Sequence, residues 1–562
     1  MEKWMMAAKK ADFNQIAQRF SIDPVIARII RNRDVIGEEA IAEYLHGDLT
    51  TMHDPALMKD MEKAAGIIRE KIRQKAHIRI LGDYDIDGIM STFILLKGFT
   101  RLGANVDYMI PNRITDGYGI NEHLIQTAKE DGVDTIVTCD NGIAAIDQIQ
   151  MAKDMGMTVV VTDHHEVQKG RIPGADAVVN PKQADCPYPF KGLCGGAVAY
   201  KLMEQLFRME ELPGDAVWEY LEYAAFATVG DIMDLTGENR VLVKEGLKRL
   251  RKTSNLGLRE LMRANNLEPE DIKAYHIGFI LGPCLNASGR LDTAKRSLEL
   301  LRAGEREEAA RLAGDLKSLN DSRKDMTLTG VEAAVKQVEE TGILQDRVFV
   351  IFLPDCHESL AGIIAGRIKE TYHHPTYVLT RGEAGVKGSG RSIEEYPMFD
   401  ELVKCDDLLG KYGGHPMAAG VSLEEANIPL FRQRLNANCS LEEKDFVPKV
   451  SIDVPMPISY VNRELIGQLN LLEPFGKANP KPLFAQKDLQ VLDSRIMGKN
   501  RNVLKMRVSD GHGAPMDAIY FGDVEPLSAR LQMQTPLTIA YYPGINSYNG
   551  KESLQLIIQH FY

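Results

Sequence analysis

The apolar positions of the chain fall into successive regimes. Residues 1 to about 70 are polar, with short apolar clusters such as Val25-Ile26-Ala27-Arg28-Ile29-Ile30, and predict helices with no catalytic signal. From residue 77 the pattern changes. Strand-like runs His77–Leu81, Val106–Ile110, Thr135–Cys139 and Thr158–Thr162 alternate with helix-like Asn121–Glu130 and Ala144–Met155. Repeated βαβ units predict a parallel sheet with helices on both faces. Residues 296 to about 340, rich in Glu, Ala, Arg and Leu, predict a solvated amphipathic connector. A strand at Arg347–Phe352 and a helix from Leu360 open a second α/β lobe. From about 450, a helix near Arg463–Leu472 precedes short strands at Leu489–Leu492, Val503–Val508, Asp517–Phe521, Leu537–Tyr542 and Leu554–Ile558. Their Gly, Asn and Pro turns suit a small β-barrel. The expected division is therefore 1–70, 71–295, 296–340, 341–448 and 449–562.

Composition constrains this picture only loosely. A chain of 562 residues exceeds one core, and its length suggests about three to four domains. With 44% hydrophobic and 26% charged residues it is an ordinary globular sequence. No signal-peptide apolar region and no run of about 18 apolar residues occurs, so a cytoplasmic location without membrane association is expected. The 7 cysteines are scattered without a Cys-x-x-Cys pair, which indicates neither a disulfide framework nor a zinc site. A net charge of -12 argues against a surface basic throughout, yet a local groove or bound cations can still attract nucleic acid.

Candidate chemistry gathers where strands end. In open parallel sheets, ligands bind beyond the carboxyl ends of the strands. His77–Leu81 runs into Gly82-Asp83-Tyr84-Asp85-Ile86-Asp87-Gly88, Thr135–Cys139 into Asp140-Asn141-Gly142, and Thr158–Thr162 into Asp163-His164-His165. An isolated acidic turn is most simply a solvated turn, but three such strand ends on one sheet edge point to a metal site. The helical stretch Tyr220–Thr228 then ends at Gly230-Asp231, offering a last carboxylate. An Asp-rich set with histidine and no cysteine favours Mn²⁺ or Mg²⁺ over zinc. Several carboxylates, one able to bridge, suggest two ions, which about 3.5–4 Å apart activate water and stabilise both oxygens of a phosphoryl transfer. His165 would face the phosphate as a donor or acid, or else support a neighbouring ligand.

These motifs resemble, at these separations, the four motifs of the DHH phosphoesterase superfamily. Further stretches sharpen the likeness to its bacterial single-strand DNA exonuclease family. They are Ile110-Pro111-Asn112-Arg113 with Asp116-Gly117-Tyr118-Gly119, Asn180-Pro181, Tyr188-Pro189-Phe190-Lys191-Gly192-Leu193-Cys194-Gly195, and Leu285-Asn286-Ala287-Ser288-Gly289-Arg290. The resemblance runs from about residue 75 to the C-terminus. It implies Asp85, Asp87, Asp140, His164 and Asp231 as direct ligands, with Asp140 bridging and Asp83 and His165 in support. It also implies a phosphate contact from Arg290, with Arg113 and Asn286 on the substrate side. Cys284 departs from the family, where an arginine often stands, so the motif's positive charge is placed on Arg290 alone. Asn320 and Arg323, in the connecting region, are further residues that could face the cleft.

In the second lobe, Ser359 is a good helix N-cap, and small residues at 361, 362, 365 and 366 let that helix approach a partner closely. Gly388-Ser389-Gly390-Arg391-Ser392 and Gly413-Gly414-His415-Pro416 read as glycine-rich turns that free N–H groups for an anion, with Arg391 as a bidentate phosphate ligand. With His357 and His415 they resemble the DHHA1 lobe that closes over substrate in the superfamily. In the barrel, Lys487, Arg495, Lys499, Arg501, Lys505 and Arg507 are basic, and Tyr541, Tyr542 and Tyr548 offer stacking faces. An OB-like barrel of this kind suits single-stranded nucleic acid, and Lys499, Arg501, Lys505 and Arg507 are its expected contacts. A plain interaction or stability domain is the bland alternative.

The expected fold is thus α/β: a parallel-sheet DHH lobe, a long connecting helix, an α/β DHHA1 lobe and an OB-like barrel. The expected function is a metal-dependent exonuclease acting on single-stranded DNA in repair and recombination, with its 5′-to-3′ polarity resting on the resemblance alone. Narrow space between the lobes would exclude duplex. A phosphoesterase for pyrophosphate, cyclic dinucleotides or short oligonucleotides shares the metal core but does not need the barrel. A non-catalytic scaffold would lose ligands that are all present here. A helicase or single-strand-binding protein that exposes strands is the expected kind of protein partner, and the chain is expected to be a monomer.

Overall fold

The computed structural model describes residues 2–111, 119–168, 170–382, 385–533, 535–548 and 550–562. It divides into two compact units: Met5–Gly289 with Thr293–Gly314 and Ser451–Tyr562, and Met1–Trp4 with Arg290–Asp292 and Asp315–Val450.

The larger unit is built on a five-stranded, all-parallel sheet in the order Asn105–Met109, His77–Leu81, Thr135–Cys139, Thr158–Thr162, Ala177–Val179. The three central strands are buried on both faces, as their place beneath two helical layers requires. One layer contains Ile86–Arg101, Gly195–Met209 and Leu221–Gly230, all nearly wholly buried. The other contains Glu122–Glu130 and Ile146–Asp154, packed on Leu81, Ile136, Val159 and Val161. The carboxyl ends of the strands therefore share one edge of the sheet, as the sequence pattern predicts.

The N-terminal segment is helical over Phe13–Phe20, Pro24–Asn32, Glu38–His46 and Met61–Arg73. Its apolar faces do not form a separate core. Ile26, Ile29, Ile30, Tyr44 and Leu45 share one cluster with Phe484, Leu504, Met506, Leu537 and Leu556 of the C-terminal strands. Those strands, Phe484–Met497, Val503–Ser509, Met516–Phe521, Lys551–Phe561 and Leu537–Tyr548, pair in that order. The last returns to the first through Phe484↔Tyr541 and Ala485↔Ala540, giving a ring of five strands. A helix at Val524–Gln532, absent from the sequence reading, fills the connection before the fourth strand in chain order. Arg240 ties these segments together. Its guanidinium lies 3.9 Å over the Tyr44 ring and donates to the carbonyls of Tyr44, Leu471 and Leu472, each at 2.9 Å.

The smaller unit carries a second five-stranded sheet, ordered Leu409–His415, Ala418–Leu423, Gly385–Arg391, Thr376–Gly382, Phe349–Phe352, parallel only in its last pair. Helix Ala361–Tyr372 packs on it through Ile364, Ala365 and Ile368. The connecting region is helical over Lys295–Arg302 and then over the 35 residues Arg306–Glu340.

Candidate metal centre

The acidic stretch leaves His77–Leu81 and turns at once into helix Ile86–Arg101. Asp85 is the N-cap of that helix, its Oδ1 accepting from the amides of Asp87 at 2.9 Å and Gly88 at 3.1 Å. Asp87 is buried, and its two oxygens accept from the amides of Gly195 and Gly196, each at 2.7 Å. Those amides open helix Gly195–Met209, so the positive end of that helix holds the Asp87 charge in place. No side chain fits there: a Cβ at 195 would lie 2.6 Å from Asp140 Cβ, and one at 196 would lie 2.5 Å from Ala227 Cβ.

Asp140 follows Thr135–Cys139 with φ at 59°. A non-glycine residue in this left-handed region costs on the order of 1 kcal/mol, and such strain gathers where a side chain must be aimed. His164 Nε2 stands 3.0 Å from Asp140 Oδ1, 3.5 Å from Asp87 Oδ2 and 3.8 Å from Asp231 Oδ2. Asp231 itself is the C-cap of helix Leu221–Gly230.

Three overlapping sets of ligand atoms result, each within 4.8 Å: Asp83 with Asp85 and Asp140, Asp87 with His164 and Asp231, and Asp140 with His164 and His165. Asp140 belongs to two of them, the position expected of a bridging carboxylate. Asp83, expected only in support, stands among the ligand atoms of the first set.

The electrostatics indicate what this pocket is suited to hold. Burial, then the charges of Asp87, Asp85 and Asp83, push Asp140 well above the usual carboxylate range. Burial, then Asp87 and Asp85, raise Asp231 to about 8, and burial with Asp87 raises Asp85. Burial lowers His164, which keeps its imidazole neutral and able to ligate. His164 Nδ1 is buried without a hydrogen-bond partner, and Asp140 Oδ1 meets His164 Nε2 at 3.0 Å without completing a hydrogen bond. Crowded carboxylate oxygens, one neutral imidazole and orphaned polar atoms fit hard divalent cations.

Asp163 and His165 play a different part. Asp163 Oδ2 accepts from the amide of Ile143 at 2.8 Å, and Oδ1 accepts from the amides of His164 at 2.7 Å and His165 at 3.0 Å. The same Oδ1 meets His165 Nδ1 at 2.8 Å. Burial opposes ionisation of both groups, but their mutual hydrogen bond and charge prevail: Asp163 is lowered and His165 is raised to about 9. Asp163 thus positions the His pair, a role to which the sequence reading gave no residue. Asn141 is a second omission, with both side-chain amide atoms buried and unpartnered.

The remaining expected contacts separate into several groups. Arg113, with the Asn112 and Asp116-Gly117-Tyr118 stretches, lies outside the described residues. Asn286 sits on helix Gly282–Leu291 with its Oδ1 buried and unpartnered. The same helix meets the acidic turn at Gly289, where a Cβ would be 2.6 Å from the Tyr84 carbonyl. Cys284 is fully buried, 3.3 Å from the Ile280 carbonyl, in an interior position. Arg290, which belongs with the smaller unit, donates from Nη1 to the Ser359 carbonyl at 2.7 Å. Asn320 is buried and accepts from Arg323 Nε at 3.1 Å.

In the smaller unit the two glycine-rich stretches are strands, which corrects the expectation of turns. Gly388, Ser389 and Gly390 lie in the central strand of the sheet, paired on both sides, so their backbone groups serve the ladders. Packing demands the glycines: a Cβ at 388 would be 2.3 Å from Leu379 Cδ2, and one at 390 would be 2.5 Å from Met398 Sδ. Ser392 is buried and donates to the Tyr396 carbonyl at 2.6 Å. Gly413, Gly414 and His415 form the exposed edge strand. His357, not Ser359, is the cap of the short turn Glu358–Leu360, its Nδ1 accepting from the Ser359 amide at 3.3 Å. The small residues of the following helix do admit a close neighbour, for a Cβ at Gly362 would be 2.8 Å from Arg391 Nη2. Burial alone lowers Arg391, and its Nη1 donates to the Gly390 carbonyl at 2.8 Å. No carboxylate among the described residues pairs with it. A half-buried guanidinium without a counter-charge is a ready anion receptor.

On the barrel, Lys499 and Arg501 lie in the exposed connection before Val503–Ser509, and Lys505 and Arg507 are on the outer face of that strand. Lys505 pairs with Asp517 at 2.8 Å, and Arg507 stands in register with Asp493 and Asp517, so the stripe is partly neutralised. Tyr541 and Tyr542 are not stacking faces. Tyr541 is fully buried with its hydroxyl donating to Met456, and Tyr542 is 8% exposed beneath Lys481. Strand alternation turns them inward or under a cation; the Tyr548 side chain lies outside the described residues.

Comparison with known proteins agrees with this architecture. Residues 77–228 match the DHH family N-terminal domain, 345–441 the DHHA1 domain and 452–560 the RecJ OB domain. Fold and cation site together define a metal-dependent enzyme of the DHH class. The chain is 36% identical to the single-stranded-DNA-specific exonuclease RecJ of Bacillus subtilis over 548 residues, covering 97% of this chain and 68% of that protein. It is 33% identical to that of Salmonella typhimurium, covering 96% and 95%. Two crystal structures of RecJ from Thermus thermophilus, with Mn²⁺ and with Mg²⁺, superpose at TM-scores of 0.85 and 0.80 with 28% and 26% identity. They cover all of this chain and 79% and 78% of those chains. The chain belongs to the RecJ family of single-stranded-DNA-specific exonucleases.

Proposed function

We propose that the chain hydrolyses phosphodiester bonds of single-stranded DNA from the 5′ end, as an exonuclease of DNA repair and recombination. The observation that carries this reading is the convergence of Asp83, Asp85, Asp87, Asp140, His164 and Asp231 into overlapping ligand sets that share Asp140 and His164. Two divalent cations, Mn²⁺ or Mg²⁺, supply there the activation of water and the neutralisation of charge that phosphoryl transfer needs. The protein's own groups do the rest. Asp87, fixed by two amides, and Asp140, fixed by its backbone, hold the oxygens in place. His165, kept protonated by Asp163, offers a hydrogen bond and positive charge to a phosphate oxygen. Asn286 brings an uncommitted amide oxygen. Arg391, with Ser389, His357, His415 and Arg290, forms the anion-binding group of the smaller unit, Arg113 adds a further cation, and Lys499, Arg501, Lys505 and Arg507 track a strand along the barrel. The chain works as a cytoplasmic monomer supplied with exposed strands by a helicase or a single-strand-binding protein.

Digestion of end-labelled single- and double-stranded oligonucleotides tests this reading. Mononucleotide release from the 5′ end of single strands, dependent on Mn²⁺ or Mg²⁺ and abolished in Asp140→Ala, is expected. Undiminished turnover by that variant in a clean preparation refutes the site.

A further inference from the structure

Outside the metal centre, the two most exposed aromatic side chains among the described residues of the larger unit stand together. Tyr275 is 60% exposed and Phe279 69% exposed, and their rings stack with centroids 4.9 Å apart and planes 26° off parallel. Burying apolar area of this size is worth about 2 kcal/mol or more per side chain, so an exposed stacked pair calls for an explanation. The pair sits on the short helix Ala274–His276 and the wide π-turn Ile277–Leu281. Turns of that type recur at functional positions.

The inner side of this segment is bound to the metal-bearing elements. Ile277 and Leu281 are fully buried. A Cβ at Gly282 would be 3.0 Å from Ile86, which lies between Asp85 and Asp87, and one at Gly278 would be 3.8 Å from Val229, two residues before Asp231. Tyr275 and Phe279 are therefore the outer surface of the segment that braces the cluster from behind.

A cavity of about 370 Å³ opens beside Tyr275, and Lys244, Lys248, Arg251 and Lys273 line it with a single carboxylate, Glu473. The first three follow one face of helix Gly237–Leu250 and its C-cap at spacings that align side chains. Lys273 pairs with Glu473 at 2.8 Å and Lys248 with Glu245 at 2.6 Å. Lys244 rests on the carbonyls of Leu45 and Gly47, and Arg251 Nε on that of Ile272. Burial, then the neighbouring Lys248 and Arg240, lower the Lys244 pKa. A concentration of cations beside flat apolar rings is the chemistry that holds a single strand: phosphates on the cations, bases on the rings.

We infer that Tyr275 and Phe279, with Lys244, Lys248 and Arg251, form a second strand-binding surface beside the metal centre, one that takes a nucleotide of single-stranded nucleic acid by base stacking and phosphate pairing. The inference rests on the proposed nuclease reading for its ligand, but binding tests it without turnover. In an Asp140→Ala background, affinity for unstructured oligothymidylate is measured by fluorescence anisotropy across a salt series. Tyr275→Ala/Phe279→Ala is expected to weaken it about tenfold. Lys248→Glu/Arg251→Glu is expected to weaken it and to flatten the salt dependence by a slope of about one to two. In the active protein, the first variant loses more kcat/KM on the oligothymidylate than on a thymidine dinucleotide. Unaltered affinity in both variants overturns the inference, as does an equal loss on the two substrates. A defect confined to binding of a polyglutamate peptide would assign the surface to an acidic protein and likewise overturn it. Failure of the parent protein to hydrolyse either substrate would count against the nuclease reading and leave the anisotropy comparison to decide this one.

Discussion

At the scale of single residues, the metal centre depends on groups that touch no candidate ligand site of their own. Asp163 spends both oxygens on three amides and on His165 Nδ1, and so fixes the two imidazoles in place. Loss of a partner that orients a ligand costs about 10–100-fold in activity or metal affinity. Asp163→Asn is therefore expected to lower kcat/KM by that order at saturating Mn²⁺. The loss should grow with pH, because an amide no longer holds the His165 proton that Asp163 retains to about pH 9. A loss independent of pH would assign Asp163 a merely structural part. The candidate ligands were legible in the sequence only as a set, since carboxylates and imidazole at successive strand ends point together to a cation where one acidic turn alone would not, and the fold brings those residues into overlapping groups. Asp163 was not, because an acidic residue beside His164-His165 reads equally well as ligand or support until its oxygens are seen to be taken. Gly195 closes a recognisable motif, but its necessity comes from the 2.6 Å approach to Asp140, a tertiary fact.

At the scale of elements, alternation and turn chemistry located four of the five strands of the parallel sheet, missing the three-residue Ala177–Val179, and the five barrel strands, whose ends extend further. The glycine-rich stretches of the second lobe read as turns and fold as strands for a physical reason. Glycine marks both a turn and a strand that must pass close to large side chains, and at Gly388 and Gly390 Leu379, Met398 and Tyr377 decide for the strand. The union of N-terminal helices and barrel in one core was invisible to local pattern, as it joins residues more than 400 apart. Arg240 fastens that union from a third segment. Arg240→Leu removes the donor from three carbonyls, two of them buried, at a cost of about 2–4 kcal/mol. A lower thermal unfolding midpoint is expected with metal-dependent hydrolysis preserved below it; an unchanged midpoint would deny Arg240 this role.

At the scale of the whole molecule, the chain joins a cation centre, a DHHA1 lobe and a five-stranded barrel, and the proposed hydrolysis turns on the first of these holding two cations. In the absence of cations burial and mutual repulsion raise Asp140 and Asp85 and lift Asp231 to about 8, so that Asp231 holds a proton at neutral pH. Binding must then expel protons as well as fill the site. Calorimetric titration of the chelated protein with Mn²⁺ at neutral pH, repeated in buffers of different ionisation enthalpy, measures both. Two ions per chain with net proton release, and loss of both ions in Asp140→Ala, are the predicted results. Binding of one ion or none, or two ions retained without Asp140, would contradict it.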